Sequence, residues 1–232
     1  MAEIKYDKDY YDNLKKQHIK TAKDINSKRW DFVKCVPFQT VLDYGCGCGE
    51  LTDYAPEGVV VDSYDVGRLN GGSYPQTGIN HKHYDLVFFN DVLEHVDWIF
   101  NPDKNMEDIL KRTKYACISI PIWKYRDRDI TKWKHYKPDE HLTCFDPDEI
   151  EDFFKDRGFR RIRTGSHECP PRSDVFSAIY KKKIPFVKET FRSKLIKASC
   201  PSKKKNHFRA KPISWRCSYV YKSVRRFKII LS

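Results

Sequence analysis

The sequence has no run of about 18 apolar residues, which excludes a transmembrane helix. Its opening residues, Met1 to Tyr11, are polar and charged and lack the apolar core of a secretory signal. A cytoplasmic protein is expected. No C-x-x-C pair occurs among the eight cysteines, Cys35, Cys46, Cys48, Cys117, Cys144, Cys169, Cys200 and Cys217. Several lie in apolar runs, so reduced thiols are expected rather than a disulfide framework. No internal repeat is present. Acid is nearly missing from one end. Residues from Ile184 to Ser232 hold 14 Lys and Arg against one acid, Glu189, a net charge of +13. Met1 to Lys183 carries 30 basic and 31 acidic residues and is close to neutral. The basic character of the chain belongs to its last stretch, and the body has no electrostatic need of a nucleic acid.

The 232 residues suit one α/β domain with appendages. Apolar spacing of three and four predicts a helix from about Tyr6 to Val36, ended by Pro37. Thr40 to Tyr44, Val59 to Val61, Tyr84 to Phe89 and Tyr115 to Ile120 read as strands, and Glu50 to Tyr54 as the start of a helix. A further helix capped by Asn101 or Asp103 is expected to reach about Thr113. Asp146-Pro147-Asp148-Glu149 predicts another, with a capping aspartate, proline in the first turn and Gly158 at its end. Phe159 to Arg163 and Asp174 to Tyr180 read as a last, antiparallel pair of strands. The crossover between Val66 and His83 is rich in glycine and has no helical period, so a loop is expected there. The pattern is that of a doubly wound, mostly parallel sheet of Rossmann-like form with a last antiparallel strand. Three parts follow: a helical segment over 1–37, a domain over 38–183, and a basic extension over 184–232.

Chemistry concentrates in Val41-Leu42-Asp43-Tyr44-Gly45-Cys46-Gly47-Cys48-Gly49-Glu50. A buried strand runs into a glycine turn and then a helix start, where a nucleotide-like ligand meets backbone N–H groups. Dinucleotide enzymes favour G-x-G-x-x-G, whereas here the glycines alternate, which disfavours a nicotinamide oxidoreductase. The D-x-G-x-G-x-G form resembles the first motif of the class I S-adenosylmethionine-dependent methyltransferases. Tyr84-Asp85-Leu86-Val87-Phe88-Phe89-Asn90-Asp91-Val92-Leu93-Glu94-His95-Val96 is similar to the fourth-strand motif of their small-molecule branch. His141 to Phe145, the capped helix and Gly158-Phe159 also match that branch, so the resemblance covers about Val41 to Tyr180.

The resemblance implies S-adenosyl-L-methionine as cofactor, with Asp43, Gly45, Cys46, Gly47 and Gly49 around its methionine part. It implies an acid at the end of the second strand for the ribose. Asp65, followed by Val66, fits that pattern, and Asp62 is the alternative. By the same resemblance Asn90, Asp91 and Leu93 lie near the cofactor, and Glu94 and His95 lie near the methyl group or support the loop. His95 and His141 are the candidate bases, because imidazole titrates near neutral pH. Pro121 to His141, with Trp123, Tyr125, Trp133 and Tyr136 among lysines and arginines, is expected to build the acceptor pocket. Aromatics among cations suit a flat or anionic acceptor such as a nucleotide, phosphate or carboxylate, and a small or nucleotide-like acceptor is expected. His141-x-x-Cys144 with His167-x-Cys169 has zinc-ligand types but poor spacing between the pairs, so no metal is expected. Two other readings stand beside transfer to a small acceptor. One is a cofactor-binding lyase, sensor or regulatory subunit. The other is a nucleic-acid methyltransferase guided by the basic extension.

Overall fold

A computed structural model describes residues 8–18, 20–65, 77–98, 103–123, 129–137, 140–165 and 174–183. Val66, the Val66–Gln76 part of the glycine-rich crossover, Asn101, Tyr125, His167, Cys169 and the whole basic extension lie outside these residues.

The expected single N-terminal helix is two: α1, Lys8–His18, and α2, Ala22–Val33. The second starts afresh after Thr21, whose carbonyl accepts from Ile25 N–H at 3.0 Å. The two bury different faces. Tyr11 and Leu14 of α1 turn to the glycine loop, whereas Trp30, Phe32 and Val33 of α2 enter the core. The Trp30 indole donates to the Leu51 carbonyl at 3.0 Å and fixes α2 against the chain leaving β1.

The strands are β1, Thr40–Tyr44; β2, Val60–Tyr64; β3, Tyr84–Asn90; β4, Thr113–Pro121; β5, Phe159–Gly165; and β6, Val175–Lys182. They form one sheet in the order β2-β1-β3-β4-β6-β5. The first four are parallel neighbours, and β6 runs antiparallel to both β4 and β5. This is the Rossmann-like, mostly parallel sheet expected, closed by an antiparallel strand. The helix expected from Glu50 is a single 3-10 turn, Thr52–Tyr54, because Pro56 follows at once. Strand β2 runs on past the expected Val59 to Val61 through Asp62, Ser63 and Tyr64.

Both faces of the sheet are covered. On one, α2 packs on Val41, Leu86, Phe88 and Ile179. On the other, α3 (Lys104–Lys111) and α4 (Pro147–Asp156) pack on Leu42, Val87, Ile118 and Tyr180. The α4 start is a full capping box, with Asp146 accepting from Asp148 and Glu149 N–H while Glu149 accepts from Asp146 N–H. Asp103 caps α3 through the N–H groups of Asn105 and Met106 and also accepts the Tyr44 hydroxyl at 2.6 Å. Arg157 joins the two helices, pairing with Glu107 at 2.6 Å and lying 3.6 Å over the Phe153 ring. Parallel pairing of β1 with β2 and β3 sets their carboxyl ends side by side.

Candidate functional site

Those strand ends open into a cavity of about 480 Å³, a size suited to a small ligand or cofactor. Its floor is the turn after β1. Gly45, Gly47 and Gly49 all take positive φ, at 74°, 51° and 78°. Gly45 has a second reason to lack a side chain, since a Cβ there would stand 2.5 Å from Val92 Cγ2. Gly45 and Cys46 N–H both donate to the Tyr64 carbonyl, which ties the turn to the end of β2.

Asp65 follows directly. Its carboxylate accepts Gly47 N–H at 2.9 Å and the Tyr11 hydroxyl at 2.6 Å. It lines the cavity with Asp43, Gly45, Cys46 and Gly47. Asp62 does not. Its carboxylate points away into a cage of donors: the Tyr84 hydroxyl, Asn80 N–H, the Asn80 amide and the His81 ring. Burial would raise the Asp62 carboxyl, but the Tyr84, His81 and Asn80 hydrogen bonds outweigh it and hold it below the usual carboxylate range.

After β3 the chain turns sharply at Asp91, the one described non-glycine residue with positive φ, at 54°. Asn90 and Asp91 reach the cavity wall, and neither polar atom of the Asn90 amide has a hydrogen-bond partner among the described residues. Leu93 instead drops into the core, and Gly49 stands off the wall while closing the turn through its N–H to Cys46 O at 2.8 Å. The one-turn helix Leu93–His95 then sends Glu94 and His95 back to the cavity.

His141 arrives there from a distant segment. Thr143 straps the two stretches together, its N–H on the Glu94 carbonyl at 3.0 Å and its hydroxyl on the Val96 carbonyl at 2.6 Å. The His95 and His141 rings meet edge to face, 5.0 Å between centroids. Burial, then the Asp91 charge, pushes the Glu94 carboxyl well above its ordinary value. Burial pushes His95 down, and burial together with neighbouring His95 pushes His141 down to about 4. Both imidazoles are therefore neutral near pH 7, and His141 is a poor proton acceptor there.

From the expected acceptor segment, Pro121, His135, Lys137, Glu140 and His141 line the cavity. Trp123 and Trp133 pack on each other, 6.0 Å apart, away from the wall. Sequence reasoning missed Tyr10, Tyr11 and Leu14 of α1, which close one side. Their helical spacing shows an amphipathic face but not what it covers. Among the described residues, no helix is long and apolar enough to cross a membrane.

A glycine turn at the end of one parallel strand, with a carboxylate at the end of the next, defines a nucleoside-cofactor-binding α/β domain. The chain belongs to the methyltransferase-domain family, matched over residues 9–164, and so to the class I enzymes that use S-adenosylmethionine. Similar solved structures include an S-adenosylmethionine-dependent methyltransferase from Archaeoglobus fulgidus, 16% identical with a TM-score of 0.50, covering 75% of this chain and 100% of that one. Magnesium protoporphyrin IX methyltransferase from Synechocystis is 18% identical with a TM-score of 0.47, covering 75% and 97%. The 16S rRNA methylase ArmA is 15% identical with a TM-score of 0.41, covering 71% and 84%. No curated protein sequence matches the chain closely enough to count as a relative.

Proposed function

We propose that this methyltransferase seats S-adenosylmethionine over the Gly45–Gly49 turn and passes its methyl group to an oxygen or nitrogen of a small or nucleotide-like acceptor. Asp65 binds the ribose hydroxyls. The observation that carries this reading is the Asp65 carboxylate, set in the cavity wall and oriented by Gly47 N–H and the Tyr11 hydroxyl. Asp62 is spent on its own cage of donors and serves the crossover. Asp43, Cys46 and Asp91 complete the cofactor wall, and the Asn90 amide offers both a donor and an acceptor to the ligand.

Methyl transfer is an in-line displacement at carbon. The acceptor atom forms its bond to the methyl carbon as the sulfur takes back the electron pair of the breaking bond. Positioning supplies most of what such a step needs, up to roughly 7–11 kcal/mol. In this reading His95 and His141 meet the acceptor beside the methyl group, and His135 and Lys137, which also line the cavity, favour a polar or anionic acceptor. Purified protein with methyl-tritiated cofactor and an extract of small metabolites tests the reading. Label should pass to a small acceptor. Label found in cofactor breakdown products alone would favour a lyase or a sensor.

The basic extension supports a second reading, a nucleic-acid acceptor. Its net charge of +13 over Ile184–Ser232 predicts RNA or DNA binding that falls steeply with salt. Binding independent of salt, or none, leaves the small acceptor.

A further inference from the structure

Glu94 is 2% exposed, and neither of its carboxylate oxygens has a hydrogen-bond partner on another described residue. A buried carboxylate left that way is costly unless it meets a cation or takes up a proton. What stands beside it is a pair of imidazoles. One donor atom each from Glu94, His95 and His141 falls within 4.8 Å of the others. The second contact of His95 is one a metal-ligating histidine makes. His95 Nδ1 donates to the Glu140 carbonyl at 3.0 Å, which places the ring lone pair on Nε2. His141 Nδ1 is buried without a partner among the described residues and is free to act as a ligand. All three residues line the cavity wall, so an ion held there would keep coordination positions open to a ligand.

We propose that Glu94, His95 and His141 bind a divalent first-row transition ion that holds the acceptor through a hydroxyl group. Two imidazole nitrogens and one carboxylate suit such an ion better than magnesium, which prefers oxygen alone. Bonds of about 2.1 Å place neighbouring ligands roughly 3.0–3.4 Å apart, so binding draws the three side chains together. The Asp91 carboxylate adds negative charge nearby, and Lys137 opposes it while paired with Glu140 at 2.9 Å. The ion's role rests on the methyl-transfer reading. On the ion, the acceptor hydroxyl loses its proton to water, and its oxygen forms the new bond to the methyl carbon. The sulfur–carbon bond breaks toward sulfur, releasing S-adenosylhomocysteine as a neutral thioether. The ion site itself does not depend on that step.

The test uses the full-length chain, stripped with chelator and titrated with cobalt(II). One equivalent should bind with visible d–d absorption, be displaced by zinc, and resist a large excess of magnesium. Glu94→Gln and His141→Gln should each weaken cobalt binding at least tenfold, whereas Cys144→Ser should not change it. Calorimetry with S-adenosylhomocysteine checks that each variant is folded; His141, on a loop, gives a reading even where Glu94→Gln does not fold. Absence of a cobalt spectrum, or binding indifferent to His141→Gln, overturns the site. Chelation should also stop label transfer and cobalt or manganese should restore it; transfer indifferent to chelation overturns the ion's role. S-adenosylhomocysteine binding by metal-free protein reports separately on the cofactor reading, so the two failures are distinguishable.

Discussion

The Tyr11 hydroxyl donates to Asp65 Oδ1 at 2.6 Å, so a residue of the first helix holds the carboxylate that would grip the ribose. The other oxygen, Oδ2, is held by Gly47 N–H at 2.9 Å. A buried hydrogen bond to a charged group contributes about 1.5–3 kcal/mol. Tyr11→Phe should lower the stability of the ligand-free protein by that order. A ribose hydroxyl can take the vacated position on Oδ1. Thermal denaturation should therefore show a larger stabilisation by S-adenosylhomocysteine in Tyr11→Phe than in the wild type. An equal shift in the two proteins would mean that the ribose does not reach Asp65.

The glycines of the turn should differ in their tolerance. Gly47→Ala introduces a Cβ 3.6 Å from Leu14 Cδ2, ordinary contact, so the cost is the positive φ, about 1–2 kcal/mol. Gly45→Ala adds a clash 2.5 Å from Val92 Cγ2 and should cost a further ~1–3 kcal/mol. Adding Val92→Ala should recover part of the second loss and none of the first. Urea unfolding midpoints of the three variants check the order.

Asp62 predicts an acid limb. Its carboxyl is held below its ordinary value in the folded chain. The stability it contributes is thus present above the unfolded carboxylate pKa and drains away as pH falls through the depressed folded value. Asp62→Asn should flatten the stability profile below about pH 4 while leaving S-adenosylhomocysteine affinity nearly unchanged. A large loss of affinity would move the ribose contact from Asp65 to Asp62.

The boundary at Lys183 makes a separate claim. A chain ending there keeps β6, which lies between β4 and β5, and every described residue that lines the cavity. It should bind S-adenosylhomocysteine as the full chain does. Isothermal titration of both proteins decides, and loss of binding in the shorter one would place part of the site in the extension.

Local rules made much of this legible. Asp146-Pro147-Asp148-Glu149 carries its own hydrogen bonds, so its helix start could be read from four residues. The alternating glycines likewise announce a turn that needs positive φ. Long-range partners decided the rest. The apolar run ends at Val61, yet Asp62 and Ser63 lie in β2 because Leu42 and Asp43 of β1 pair with them and the Asn80–Tyr84 cage satisfies the carboxylate. The break between α1 and α2 follows from two helix faces packing on different partners, which apolar spacing alone does not reveal. Leu93 shares the motif of Asn90 and Asp91 but faces the core, because the positive φ of Asp91 redirects the chain. The convergence of Glu94, His95 and His141 depends on the Thr143 strap, a contact between segments that no short motif encodes.

Isothermal titration of the full-length protein with S-adenosylhomocysteine, run beside Asp65→Ala, is the most direct measurement. Saturable one-to-one binding by the wild type, weakened at least tenfold in a folded Asp65→Ala variant, is the predicted result. No heat of binding, or equal affinity in the two proteins, would contradict the assignment of the cavity.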